Sequence, residues 1–147
     1  MKRILLTLLL ITLTFFAGAQ DNLSTIRKAM ADNKVCLDYS CTIPGKVTMK
    51  SSGSISVQRN CYKLVSAGIE IYCDGQTRWT VDRDAKEVLV EQAQGVAEFL
   101  DDSEKYLDSL EDLVLSKVKT YPFDKDDSEF IFVTENLGAD WIVTDLR

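Results

Sequence analysis

The chain has 147 residues, 23 acidic against 17 basic side chains for a net charge of −6, four cysteines and no histidine. The missing histidine removes the usual Ser-His and Cys-His pairs and the usual proton shuttle at neutral pH. A surface this acidic argues against nucleic acid and anionic membrane as partners.

The chain opens "MKRILLTLLLITLTFFAGAQ". Lys2 and Arg3 form a charged start, Ile4 to Phe16 an apolar run, and Ala17-Gly18-Ala19 a small-residue cleavage site, the pattern of a secretory signal peptide over residues 1–20. The run is short for a membrane span of ~20 residues; an uncleaved anchor is the alternative. Cleavage near Ala19-Gln20 leaves 21–147 as one exported, soluble domain, more acidic still without Lys2 and Arg3.

"DNLSTIRKAMADN" (21–33) predicts a short helix capped by Asp21 or Asn22, with Leu23, Ile26 and Met30 on one face and Asn33 as its stop. Strands follow at 35–43, 53–58, 61–65, 69–73, 77–82 and 87–92, separated by turn signals such as Pro44-Gly45 and Asp74-Gly75. They read as an antiparallel meander with short connections.

Cys36, Cys41, Cys61 and Cys73 all follow the leader. Export permits disulfides, and the spacing lacks the paired C-x-x-C of a zinc site, so no metal is expected. A three-residue loop at 66–68 pairs Val65 with Ile69 and sets Cys61 opposite Cys73, within reach of a disulfide. A one-residue change of loop length sends the two to opposite faces. Cys36 and Cys41 share one strand, point to opposite faces and read as buried free thiols.

Phe99, Tyr106, Leu107, Leu110, Leu113, Val114 and Val118 recur at three and four, predicting a helix over about 102–118. "DKDDSE" (124–129) reads as a loop. "FIFVT" (130–134) and "DWIVTDL" (140–146) read as a closing hairpin. Asp124, Asp126, Ser128, Phe130, Phe132 and Glu135 match the ligand spacing of a calcium loop, but Glu129 stands where that loop needs glycine and the flanks are β-rich. Chance in an acidic loop explains the match.

No pair of carboxylates is placed together by the sequence, and the expectation is a non-enzyme without cofactor. The aromatics and aliphatics remain. Tyr62, Tyr72 and Trp79 fall on neighbouring strands, and by the three-residue register Tyr62 faces Tyr72. Both sheet faces are partly apolar, which demands cover on both sides or an apolar ligand on one. The expected lining of a lipid-sized groove is Ile55, Val57, Tyr62, Leu64, Tyr72, Trp79 and Val81; ordinary core is the alternative for each.

"SGSISVQRNCYKL" and "IYCDGQTRWTVDRDAKEVLVE" resemble the LolA-like periplasmic carriers of outer-membrane lipoproteins, in particular the lipoprotein chaperones of the Bacteroidetes type. The shared features are a G-x-[apolar]-x-V-x-R strand (Gly53 to Arg59), a DG hairpin with tryptophan (Asp74 to Asp82) and an EV strand (Glu87-Val88). The resemblance covers about 23–93. It implies an α+β fold: a curved antiparallel sheet of about eight strands, a half-open β-barrel, with two helices on its concave face. It implies a monomeric periplasmic carrier of lipoprotein acyl chains or similar lipid, with an inner-membrane release complex as a possible partner. A non-enzymatic structural or protein-binding module of the same fold, with a packed interior, is the alternative. In that family an arginine after the second strand holds the helical lid shut; Arg59 stands there, followed by Asn60 instead of the family's proline. The family continues with more strands than the remaining residues can form, so a smaller sheet and a shallower cavity are expected.

Overall fold

The computed structural model describes residues 19–96 and 111–147, with side chains from Ser24 onward. Helix α1 (Ala19–Met30) runs through the expected cap at Asp21-Asn22. It stops where Asn33 turns back, its backbone N–H and its side-chain amide both donating to the Ala29 carbonyl at 3.1 Å. That satisfies one of the carbonyls a helix end leaves open.

Eight strands follow: β1 (Lys34–Ile43), β2 (Met49–Gln58), β3 (Cys61–Ser66), β4 (Ile69–Cys73), β5 (Thr77–Asp82), β6 (Glu87–Gln92), β7 (Glu111–Tyr121) and β8 (Ile142–Asp145). They form one sheet in the order β7-β1-β2-β3-β4-β5-β6-β8. All neighbours are antiparallel except β8, which lies parallel to β6. The sheet is open and mixed, with β7 and β8 as its two edges. This corrects the expected half-open antiparallel barrel with two helices: among the described residues α1 is the one complete α-helix, with a single further helical position at Val96.

Three local expectations change with it. From Glu111 onward the predicted second helix is strand β7; its earlier part, 102–110, lies outside the described residues. β7 carries two bulges against β1, at the register breaks between Cys36 and Asp38 and between Ser40 and Thr42. Lys117 (φ 52°) and Asp112 (φ 51°) sit at these breaks. Each extra residue resets the alternation, so Leu113, Val114 and Val118 mimic a helical period. The closing hairpin is also absent. Ser128–Phe130 is a 3-10 turn, 131–141 crosses the sheet face, and only β8 pairs, along the outer side of β6. Finally, the β3–β4 loop is two residues, Ala67-Gly68, not three. Val65 therefore pairs with Glu70 and Tyr62 with Cys73.

The register sorts the side chains. On the helix side lie Val35, Leu37, Ile55, Val57, Tyr62, Leu64, Ile71 and Cys73, with Ile26, Ala29 and Met30 of α1 packed over the β1–β2 end and Val96 over Tyr62 and Cys73. On the opposite side lie Tyr72, Trp79, Val81, Val88 and Val90, covered by Phe132, Leu137 and Trp141 of the returning chain. Both halves of this sheet needed apolar cover, and the C-terminal segment supplies the second.

Candidate functional site

The seven residues expected to line one groove divide between the faces. Ile55, Val57, Tyr62 and Leu64 stand on the helix side, and Tyr72, Trp79 and Val81 on the other. Tyr62 does not face Tyr72. Tyr72 sits opposite Lys63, whose ammonium lies 4.9 Å from its ring centre. The Tyr72, Trp79 and Val81 group is packed core: the Tyr72 and Phe132 rings meet tilted at 46° with centres 5.3 Å apart, and Val81 is wholly buried.

The helix side carries a half-buried apolar stretch, in which Ile55 and Ile71 also pack against the clusters under α1 and Val96. One row crosses the strands through Leu37, Ile55, Leu64, Ile71, Thr80 and Leu89. Leu37 is buried beneath α1, whereas Ile55, Leu64, Ile71, Thr80 and Leu89 are half-buried. Four strand spacings separate Ile55 from Leu89, about 19 Å. One neighbouring row is closed by polar chemistry, with Arg78 and Glu91 paired at 2.9 Å. Beyond it lies a cleft of about 420 Å³ whose described lining is Gln76, Gln92, Ala93 and Gln94.

The opposite face carries a polar network at its β4–β5 end. Arg83 donates from Nε and Nη2 to the two Glu70 oxygens at 3.0 and 2.9 Å, and the Tyr72 hydroxyl donates to Glu70 at 2.6 Å. The Arg83 hydrogen bonds, opposed by burial and helped by Tyr72, hold the Glu70 carboxyl below its ordinary value. Burial and the bond to Glu70 push the Tyr72 hydroxyl up to about 12. Arg83 also lies over the Phe132 and Trp141 rings, at 5.5 and 5.9 Å.

At the other end of that face, residues 123–130 are strapped down. Gln58 is completely buried. Its Nε2 donates to the Asp126 carbonyl at 3.1 Å and to Asp127 Oδ1 at 2.9 Å, and its Oε1 accepts the Asp124 N–H at 2.6 Å. Lys34 bonds Asp124 at 2.7 Å and also Glu129. Burial alone would lower the Lys34 ammonium, but these two carboxylates outweigh it and hold its pKa above the ordinary value. Phe130, 0% exposed, plugs the segment into the fold.

Arg59 belongs to this strap. It donates to Asp127 Oδ1 and to the Asp124 carbonyl, both at 2.9 Å, and lies 4.9 Å from the Phe123 ring centre. What it holds is an extended C-terminal segment and not a helical lid. Asn60, where the family has proline, accepts the Val96 N–H on both its backbone carbonyl and its side chain. The calcium-like residues are spent on the same strap: Asp124 on Lys34, Asp126 on the Ser128 N–H, and Phe130 in the core.

The expected Cys61–Cys73 bridge is not formed; all four cysteines are free. With Tyr62 opposite Cys73, Cys61 points to the other face. Burial, then the nearby Asp127 and Asp74, pushes the Cys61 thiol up to about 11. Burial likewise pushes Cys73 up.

Gln58, Lys34 and the Glu70–Arg83 pair were not singled out in the sequence. Their partners are remote along the chain, and no spacing rule joins them. The one signal was the acidic run 124–129, which reads as solvated until the cations that meet it are known. No family model matches this chain, and no curated protein matches it.

Proposed function

We propose that the protein is a non-catalytic periplasmic carrier that shelters an acyl chain, free or on a lipoprotein, along the helix-side row of its sheet. The observation that carries this is the half-buried apolar run Ile55, Leu64, Ile71 and Leu89, interrupted only by Thr80. It is long enough for a fatty acyl chain to lie on. Each buried methylene contributes about 0.8 kcal/mol, so ten contribute about 8 kcal/mol before the ordering and association costs. Those costs are several kcal/mol, which leaves weak binding suited to a carrier that must release its load. The export leader and the lack of histidine fit the same reading.

A second reading is a protein-binding module with a packed interior. The division of Tyr72, Trp79 and Val81 into a separate packed cluster favours it. The deciding experiment is titration of a fluorescent fatty acid, with native mass spectrometry of the protein purified from its exporting host. The carrier reading expects co-purified acyl ligand or saturable uptake, weakened roughly tenfold by Leu89→Ala, as befits losing one or two methylenes' worth of burial. A bare protein that takes up no fatty acid overturns it in favour of the packed module.

A further inference from the structure

The hairpin joining β1 and β2 projects beyond the sheet. Ile43 and Met49 are its last paired residues. Pairing to β7 stops at Thr42, opposite Glu111, and pairing to β3 stops at Gly53, opposite Ser66. Among the described residues, no third strand lies beside 43–50. The tip is apolar: Val47 is 77% exposed, Met49 57% and Ile43 37%. Single exposed apolar residues are ordinary, but a cluster at a projecting tip marks a contact surface.

The charge is segregated in the same place. Lys46 and Lys50 flank Val47 and Met49, and both are exposed. Neither is in an ion pair among the described residues. From Tyr39 to Ile69 the chain holds no Asp or Glu, although its net charge is −6. Among the described residues the nearest acid by register, Glu111, faces Thr42 at the base of the hairpin. The other acids among the described residues are further from the tip by register, where screening with a Debye length of ~8 Å at physiological salt weakens them. The overall acidity that argues against an anionic membrane therefore does not govern the tip.

We infer that the β1–β2 hairpin tip is a docking point for an anionic lipid surface. Val47 and Met49, with Ile43 behind them, enter the headgroup boundary, and Lys46 and Lys50 meet the lipid phosphates. The lysine stems reach along the apolar residues while their ammonium groups stay at the polar level. Two lysines and three side chains give a weak, reversible contact, strengthened by surface charge.

The test places a reporter at the tip, Val47→Trp, with Val133→Trp as a second exposed site far along the chain. Phosphatidylglycerol-containing vesicles should shift the tip reporter's emission to the blue and leave the other unchanged. Vesicles of phosphatidylcholine alone should act much more weakly. Adding Lys46→Glu and Lys50→Glu should lower the apparent affinity roughly tenfold or more, and about 1 M salt should do the same. An unmoved tip reporter overturns the inference, as does an equal response at position 133 or on uncharged vesicles. A shift that grows with protein concentration without vesicles overturns it in favour of a second copy of the chain.

Discussion

Gln58 ends the alternating run of β2 and is the buried polar side chain on which the C-terminal segment is registered. Its amide can form several hydrogen bonds, and three protein partners take them up. All three lie in Asp124–Asp127, so the side chain acts as a template for the strap and not as filler. Gln58→Leu keeps much of the volume but leaves the Asp124 N–H and the Asp126 carbonyl without these partners. It should cost about 2–4 kcal/mol, read as a lower denaturant midpoint with faster amide exchange across 124–130. Unchanged exchange there would mean that Lys34 and Arg59 hold the strap without it. Nothing in the sequence marks Gln58, because its partners lie 66 to 69 residues away. Arg59 was legible as an anchoring arginine only through a family resemblance, and the segment it anchors was not.

Strand positions from 35 to 92 were legible because their alternation and turn residues are local signals. The β3–β4 register was not, since Ser66-Ala67-Gly68 suits either loop length. Ser66 joins the strand because Gly53 on β2 is there to pair with it. Gly68 then sits at φ +79°, where a side chain's Cβ would lie 2.9 Å from the Asp84 carboxylate. Gly68→Val should cost about 1–3 kcal/mol from the left-handed backbone alone. Thermal unfolding should show the loss as a drop of several degrees in Tm, and a Tm equal to that of the native chain would show that the turn relaxes to a three-residue loop. That longer loop would also bring Cys61 opposite Cys73. β7 shows the reverse difficulty: its bulges imitate a helical period, and a strand was chosen there because β1 offers a second edge whose backbone groups need partners.

At the scale of the whole molecule, the returning chain joins the two ends of one face, and its charge contacts tie stability to pH. Glu70 links the sheet to Arg83, which in turn lies against Phe132 and Trp141. Its carboxyl is held below the ordinary 4.5 by the Arg83 hydrogen bonds. A depressed carboxyl adds stability above its unfolded pKa and loses it as pH falls through the folded one. The native protein should therefore weaken as pH falls below about 4.5. Arg83 is 45% exposed, so the contribution is at most about 1 kcal/mol after screening. Glu70→Gln should lose that amount at neutral pH and show a shallower acid limb in denaturant midpoints measured across pH; parallel acid limbs would show that Glu70 contributes nothing there. The same descent passes the sequence pI of about 4.7, where lower net charge reduces self-repulsion and favours association, so the midpoints belong at low protein concentration.

The sequence by itself determined the local matters: a chain without histidine, a short helix with Ile26 and Met30 inward, and six strands in order, though not the length of the β3–β4 turn. These follow from periodicity, caps and turn residues, which act over a few positions. Only the tertiary structure decided which faces the apolar residues share, that β7 is a strand from Glu111 onward, that β8 joins β6 in parallel and that the acidic run is a strap. Those outcomes depend on which backbone edges remain to be paired and which apolar faces remain to be covered. That is settled between segments dozens of residues apart, and a one-residue difference in a single loop sends Cys61 and Cys73 to opposite sides of the sheet.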